Sequence, residues 1–143
     1  MKKVHLYLLS ILSGIILSLA WPMYGFPFLL FIGFVPLFFI LDHLDKFKEN
    51  FHKYSIFQYS YIAFFTWNLL TTWWIWNSTI FGAIMAVLLN SLFMAIVFTV
   101  YHLSRKVFFR RSDAIYLLVF YWISFEYLHL DWDLSWPWLN LGN

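Results

Sequence analysis

Cysteine is absent from the 143 residues, which excludes disulfides, thiolate metal sites and a cysteine nucleophile within them. Charge is scarce. Asp, Glu, Lys and Arg make up 11% of the chain, against roughly 25% in an ordinary globular domain. So few cations form no basic stripe of the kind nucleic acid requires, and no nucleic-acid partner is expected. Glycine and proline are sparse, at 5 and 4 residues, and no Gly-rich phosphate loop, H-E-x-x-H or C-x-x-C occurs. What fills the chain is apolar: 63% hydrophobic and 25% aromatic residues, with a mean hydropathy of +0.74. A compact sphere in water needs more polar surface than nine Lys/Arg and seven Asp/Glu supply. The composition points to an integral membrane protein.

Apolar runs separated by charged or Pro/Gly stretches predict an all-α, polytopic transmembrane domain over residues 1–143, with about five spans. The spans fall at about 4–20, 28–41, 56–76, 80–104 and 114–128. Between the first two, Trp21-Pro22-Met23-Tyr24-Gly25-Phe26-Pro27 reads as a turn, because two prolines and a glycine do not continue a helix. The second span holds Pro36 and is short. Its residues rise about 21 Å at 1.5 Å each, less than the ~30 Å hydrocarbon core, so it thins the bilayer or enters part of the way. Asp42 to Lys53 reads as a surface loop or interfacial helix. The third and fourth spans are joined by Asn77-Ser78-Thr79, a link so short that they form an antiparallel hairpin. Lys2-Lys3, the first apolar run and Ser18-Leu19-Ala20 also fit a signal peptide. The length of that run and the start of another soon after it favour a retained span.

Charge sets the expected topology. Lys2, Lys3, Lys46, Lys48, Lys53, Arg105, Lys106, Arg110 and Arg111 fall in three segments that alternate spanning places on one face. By the positive-inside rule the N-terminus is cytoplasmic and the C-terminus outside. Tryptophan shows the opposite asymmetry: Trp21, Trp73, Trp74, Trp76, Trp132, Trp136 and Trp138 gather at the outer face, leaving Trp67 and Trp122 at mid-depth. The cluster reads as an interfacial belt, or as the rim of a groove that admits a lipid chain.

Few side chains could carry chemistry. Glu126 is the one acid placed within a span, where it needs protein or water as partner, and His129 shares its helical face. The pair either contacts a substrate headgroup or makes a structural hydrogen bond at the outer helix end. His129, Asp131 and Asp133 alternate as a hard-metal site might, yet three ligands without a fourth read better as a solvated stretch, and no metal or cofactor is expected. Asn68 and Asn90 sit mid-span and call for an interhelical hydrogen bond. Small residues four apart, Ser10, Gly14 and Ser18 on the first span and Ser91, Ala95 and Thr99 on the fourth, mark packing faces.

The order of specific segments resembles the bacterial apolipoprotein N-acyltransferases. Ser13-Gly14-Ile15-Ile16-Leu17-Ser18-Leu19-Ala20-Trp21-Pro22 leads through Tyr24-Gly25-Phe26-Pro27 to Phe34-Val35-Pro36-Leu37, like that family's opening hairpin. Trp73-Trp74-Ile75 is similar to the aromatic outer end of its third span. Glu126-Tyr127-Leu128-His129 with Ser135-Trp136-Pro137-Trp138-Leu139-Asn140-Leu141-Gly142 resembles its E-W-L-R … F-P-W-L-x-L-G segment. His129 stands where the family usually has Arg, and Trp136 where it usually has Phe.

The resemblance implies a two-step reaction in the bacterial inner membrane. A cysteine thiolate takes an acyl group from a phospholipid, forming a thioester and releasing a lysophospholipid, and the α-amine of a lipoprotein's diacylglyceryl-cysteine then attacks the thioester and frees the cysteine. The family's Glu-Lys-Cys triad lies in a later nitrilase-like domain, so no catalytic residue carries over to these positions and the chain is expected to be inactive alone, cut short or encoded apart from its catalytic part. The implied partners are phospholipid and lipidated protein. Glu126, His129, Trp136, Trp138, Trp73 and Trp74 are the candidate lipid- or substrate-facing residues. A non-enzymatic membrane subunit that binds lipid or docks a partner is the alternative. The absence of Lys and Arg from the spans argues against a transporter.

Overall fold

The computed structural model describes residues 2–21, 25–108 and 115–130. Every regular element among them is helical. Helix α1 (Lys3–Leu19) follows extended Lys2 and closes at Ala20, whose N–H reaches the Ile16 and Leu17 carbonyls. Gly25 adopts φ 79°, a conformation open to glycine that lets the chain reverse. Helix α2 (Leu29–Gly33) is a single short piece, and α3 (Val35–Lys46) starts after Phe34. Pro36 lies in the first turn of α3, where its missing N–H would have no partner anyway, so proline begins this helix rather than interrupting it.

The expected second run at 28–41 is therefore two helices, and the second outlasts it. Asp42 to Lys46, expected in a loop or interfacial helix, continues α3, with Lys46 in the last turn where a cation complements the helix dipole. A 3-10 turn (Lys48–Asn50) leads to α4 (Ser55–Thr72). A second 3-10 turn (Trp73–Asn77) joins α4 to α5 (Ile80–Phe108). The Thr79 hydroxyl accepts the Gly82 N–H at 3.3 Å and so caps the start of α5. Helix α6 (Ile115–His129) follows.

Helix α4 is central, packed between α1 and α5, with α3 against both α1 and α4, and α6 against α5. Gly14 allows the α1–α4 approach: a Cβ there would lie 2.4 Å from the Ala63 carbonyl oxygen and 2.7 Å from Thr66 Cβ. Ser13 donates to the Gly33 carbonyl at 2.6 Å and ties α1 to the end of α2. Phe34, at the helix break, is an aromatic hub. Its ring lies 5.2 Å from Trp122, 6.2 Å from Phe64 and 6.3 Å from Phe98, joining the break to α6, α4 and α5.

The bundle has a charged end and an aromatic end. Gln58 donates to the Tyr7 hydroxyl at 2.9 Å, so the starts of α1 and α4 adjoin. At the same end Asp45 of α3 pairs with Arg105 of α5, and His102 Nε2 lies 3.9 Å from Asp45 Oδ1. The opposite end carries Trp73, Trp74 and Trp76.

The core is apolar, built on Leu6, Leu37, Ile40, Phe64, Trp67 and Phe98, yet it also takes in hydroxyls and amides, and the outside is apolar as well. Ser10, Ser13, Ser60, Asn68, Thr72 and Ser91 are fully buried, while Phe28, Phe31 and Phe81 are 81–82% exposed. Among the described residues, α5 over Ile80–Arg105 is the helix both long and apolar enough to cross a membrane, and α1 is apolar but shorter.

Candidate functional site

At the aromatic end a groove of about 460 Å³ opens between the close of α4, the 3-10 turn and the start of α5. Phe65, Leu69, Trp73, Trp76, Ile84 and Leu88 form its apolar walls, and Thr72 and Asn77 supply the polar atoms. The volume is within the range of small-molecule sites. The turn's geometry builds the site: Ile75 is buried against Ala83 and Ala86, which leaves Trp73 and Trp76 exposed on the open side.

Beneath the groove lies a polar network. Asn90 donates from Nδ2 to Asn68 Oδ1 at 2.8 Å, and Asn68 donates from Nδ2 to the Phe64 carbonyl at 2.9 Å and to Ser91 Oγ at 3.0 Å. The interhelical bond expected of these two amides therefore forms, with Ser91 of the small-residue face as a third member. Thr72 connects network and groove, since it lines the groove while its hydroxyl donates to the Asn68 carbonyl. Buried amides paired in this way hold α4 and α5 in one register.

The expected site residues that are described fall on two elements, Trp73 and Trp74 on the 3-10 turn and Glu126 and His129 on α6. Trp73 lines the groove; Trp74 is 44% exposed but stands outside its walls. Glu126 is half-buried on α6 and accepts the Trp122 indole N–H at 3.0 Å, one turn back on the same helix. His129 is buried, with its ring 5.2 Å from Phe125 and 6.3 Å from Phe93. Trp136 and Trp138, together with Asp131 and Asp133, lie outside the described residues. Among the described residues no group of three His, Asp or Glu side chains is placed to hold a metal.

The Glu126 contact makes a direct prediction. Glu126→Gln keeps an acceptor for the Trp122 N–H and should leave stability within about 0.5 kcal/mol, whereas Glu126→Leu leaves a buried donor unpaired and should lose about 1–2 kcal/mol. Unfolding in detergent measures both; equal small losses would show that water serves Trp122 as well.

Sequence reading missed the Asp45–His102–Arg105 cluster. Asp45 sits in a charged stretch that resembles a loop, and Arg105 in another. The available signal was spacing: Leu37, Leu41 and Leu44 are all buried, so the apolar face of α3 runs past Asp42 and brings Asp45 close to it.

An apolar-surfaced helical bundle with an aromatic groove is thus the class that the described residues define. Residues 13–143 match the apolipoprotein N-acyltransferase N-terminal domain family, and the chain belongs to that family. The apolipoprotein N-acyltransferase of Chlorobaculum tepidum is 30% identical over 141 residues, covering 96% of this chain and 25% of the relative. The chain therefore spans about a quarter of the length of that curated relative. No solved structure matches it.

Proposed function

We propose that this chain is the membrane-embedded N-terminal part of an apolipoprotein N-acyltransferase, a multi-pass platform in the bacterial inner membrane. It would hold lipid-anchored substrates beside a catalytic part that supplies the Cys nucleophile. The reaction is acyl transfer from phospholipid to the α-amine of a lipoprotein's diacylglyceryl-cysteine. These 143 residues contain no cysteine and contribute position rather than the covalent step. Both substrates carry acyl chains, so a surface that fixes their depth and orientation turns diffusion in the bilayer into an oriented encounter.

The apolar exterior, around a core that also holds hydroxyls and amides, carries this reading. Amides and hydroxyls inside, with phenylalanines more than 80% exposed outside, suit a hydrocarbon solvent and would be costly in water. The groove at the tryptophan end supports an acyl-chain site at the outer leaflet, where indoles favour the interface.

Because these 143 residues contain no cysteine, their orientation is easy to test when they are expressed by themselves. In cells expressing single-site variants, a membrane-impermeant maleimide should label Ser78→Cys from outside. It should label Asn50→Cys only after permeabilisation. The reverse pattern would remove the groove from the outer leaflet and the platform role with it.

A further inference from the structure

A second cavity lies at the opposite, charged end, and nothing in the acyl-transfer reading uses it. It has a volume of about 350 Å³ and is lined by Lys3, His43, Phe47, Asn50 and Phe51. Three separate segments build it: the first residue of α1, the last turn of α3, and the 3-10 turn with the residue after it. We propose that this cavity binds the phosphate of an anionic phospholipid from the cytosolic leaflet; the leaflet assignment rests on the orientation proposed above.

The lining chemistry is selective. Lys3 supplies an ammonium, His43 an imidazole and Asn50 an amide, and no carboxylate lines the cavity. Of the acids close by in sequence, Asp45 is engaged with Arg105 and His102 on α5, and Asp42 and Glu49, next to His43 and Asn50, are outside the lining. The two rings give the site an apolar wall for the glycerol and first methylenes, since His43 lies 4.7 Å from the Phe47 ring and 5.9 Å from the Phe51 ring. Lys46 adds charge at the margin, with its Nζ 5.7 Å from the Phe47 centroid.

The electrostatics agree. Partial burial, and then positive charge nearby that includes the Lys46 ammonium, hold the His43 imidazole below its ordinary range. Desolvation is the larger cause and positive charge the smaller, and a phosphate would offset both by giving the imidazolium a hydrogen-bonded counter-charge. A phosphate there would stabilise the imidazolium and gain a second cationic donor beside Lys3. A net-negative headgroup is favoured over a zwitterionic one, which would bring its own ammonium against Lys3 and Lys46. Basic pockets between helices on the cytosolic side are suited to such lipids.

Native mass spectrometry of the protein in detergent, titrated with phosphatidylglycerol or phosphatidylcholine, tests this. Wild-type protein should retain phosphatidylglycerol in preference to phosphatidylcholine. Lys3→Gln should weaken phosphatidylglycerol binding about fivefold, the effect of one juxtamembrane cation at an anionic surface. Lys3→Arg should restore it. Lys53→Gln should change little, because the Lys53 ammonium lies over the Tyr54 ring at 4.9 Å and outside the cavity. An equal loss from Lys53→Gln would reduce the effect to diffuse attraction, and an unchanged Lys3→Gln would eliminate the site. Displacement of the lipid by millimolar inorganic phosphate would reassign the cavity to free phosphate. Detergent binding does not depend on membrane orientation, so a reversed maleimide pattern with the Lys3 effect intact would move the site to the other leaflet and leave it standing.

Discussion

Asp45→Ala should lower stability by about 3–5 kcal/mol, the range for breaking a buried ion pair from one side. The pair joins the end of α3 to the last turns of α5, with 9–10% of each side chain exposed. Removing Asp45 leaves the Arg105 guanidinium largely enclosed by protein with its carboxylate gone and His102 beside it. Replacing both partners at once, Asp45→Leu with Arg105→Met, should be far milder, because no uncompensated charge remains. Reversible unfolding in mixed micelles gives both numbers. If the double variant loses as much as the single one, packing rather than charge holds α3 to α5 at this point.

Gly14→Leu is expected to be the most damaging change in the α1–α4 contact. The obstacle to a Cβ at this position is the Ala63 backbone oxygen at 2.4 Å, which no rotamer can move aside. Gly14→Ala should therefore already lose about 1–3 kcal/mol, and Gly14→Leu the upper end of that range or more, since the helices must separate along their length. The loss should appear as a lower unfolding midpoint together with weaker Trp21–Trp67 contact, read from tryptophan fluorescence. These two rings lie 5.7 Å apart, edge to face, across the α1–α4 interface. An unchanged midpoint in Gly14→Leu would mean that α1 is only loosely docked.

Much of the helical layout was legible because hydrophobic runs and their interruptions are local. The 56–76 and 80–104 runs correspond to α4 with its 3-10 turn and to α5, and the small-residue stripes on α1 and α5 lie in buried faces. The Asn68–Asn90 bond was legible for a different reason: two amides in apolar helices joined by a tight hairpin have few other partners. What the sequence could not reveal is tertiary. The run at 28–41 looked like one short helix since Pro36 carries no mark distinguishing a helix start from a helix interruption; the start is visible only once Phe34 is seen packed among Trp122, Phe64 and Phe98. Asp45 looked solvated because its partner is 60 residues away. Trp21 was assigned to the rim from its place in the chain, but it is half-buried and faces Trp67. Of the candidate site, the tryptophan turn was legible from composition, whereas the groove walls supplied by Phe65, Leu69, Ile84 and Leu88 were not, since nothing distinguishes these residues from other apolar helix positions.

Helices α1 and α5 differ in reach. At 1.5 Å per residue the 17 residues of α1 rise about 26 Å, and the 29 residues of α5 about 43 Å. A bilayer surrounding both, in the membrane-embedded reading, must be pinched beside the shorter rod and swollen or crossed at a slant beside the longer one. Neighbouring lipids would then sit on a gradient of thickness around the perimeter, and their headgroups would stand at unequal heights on the two flanks of a single protein.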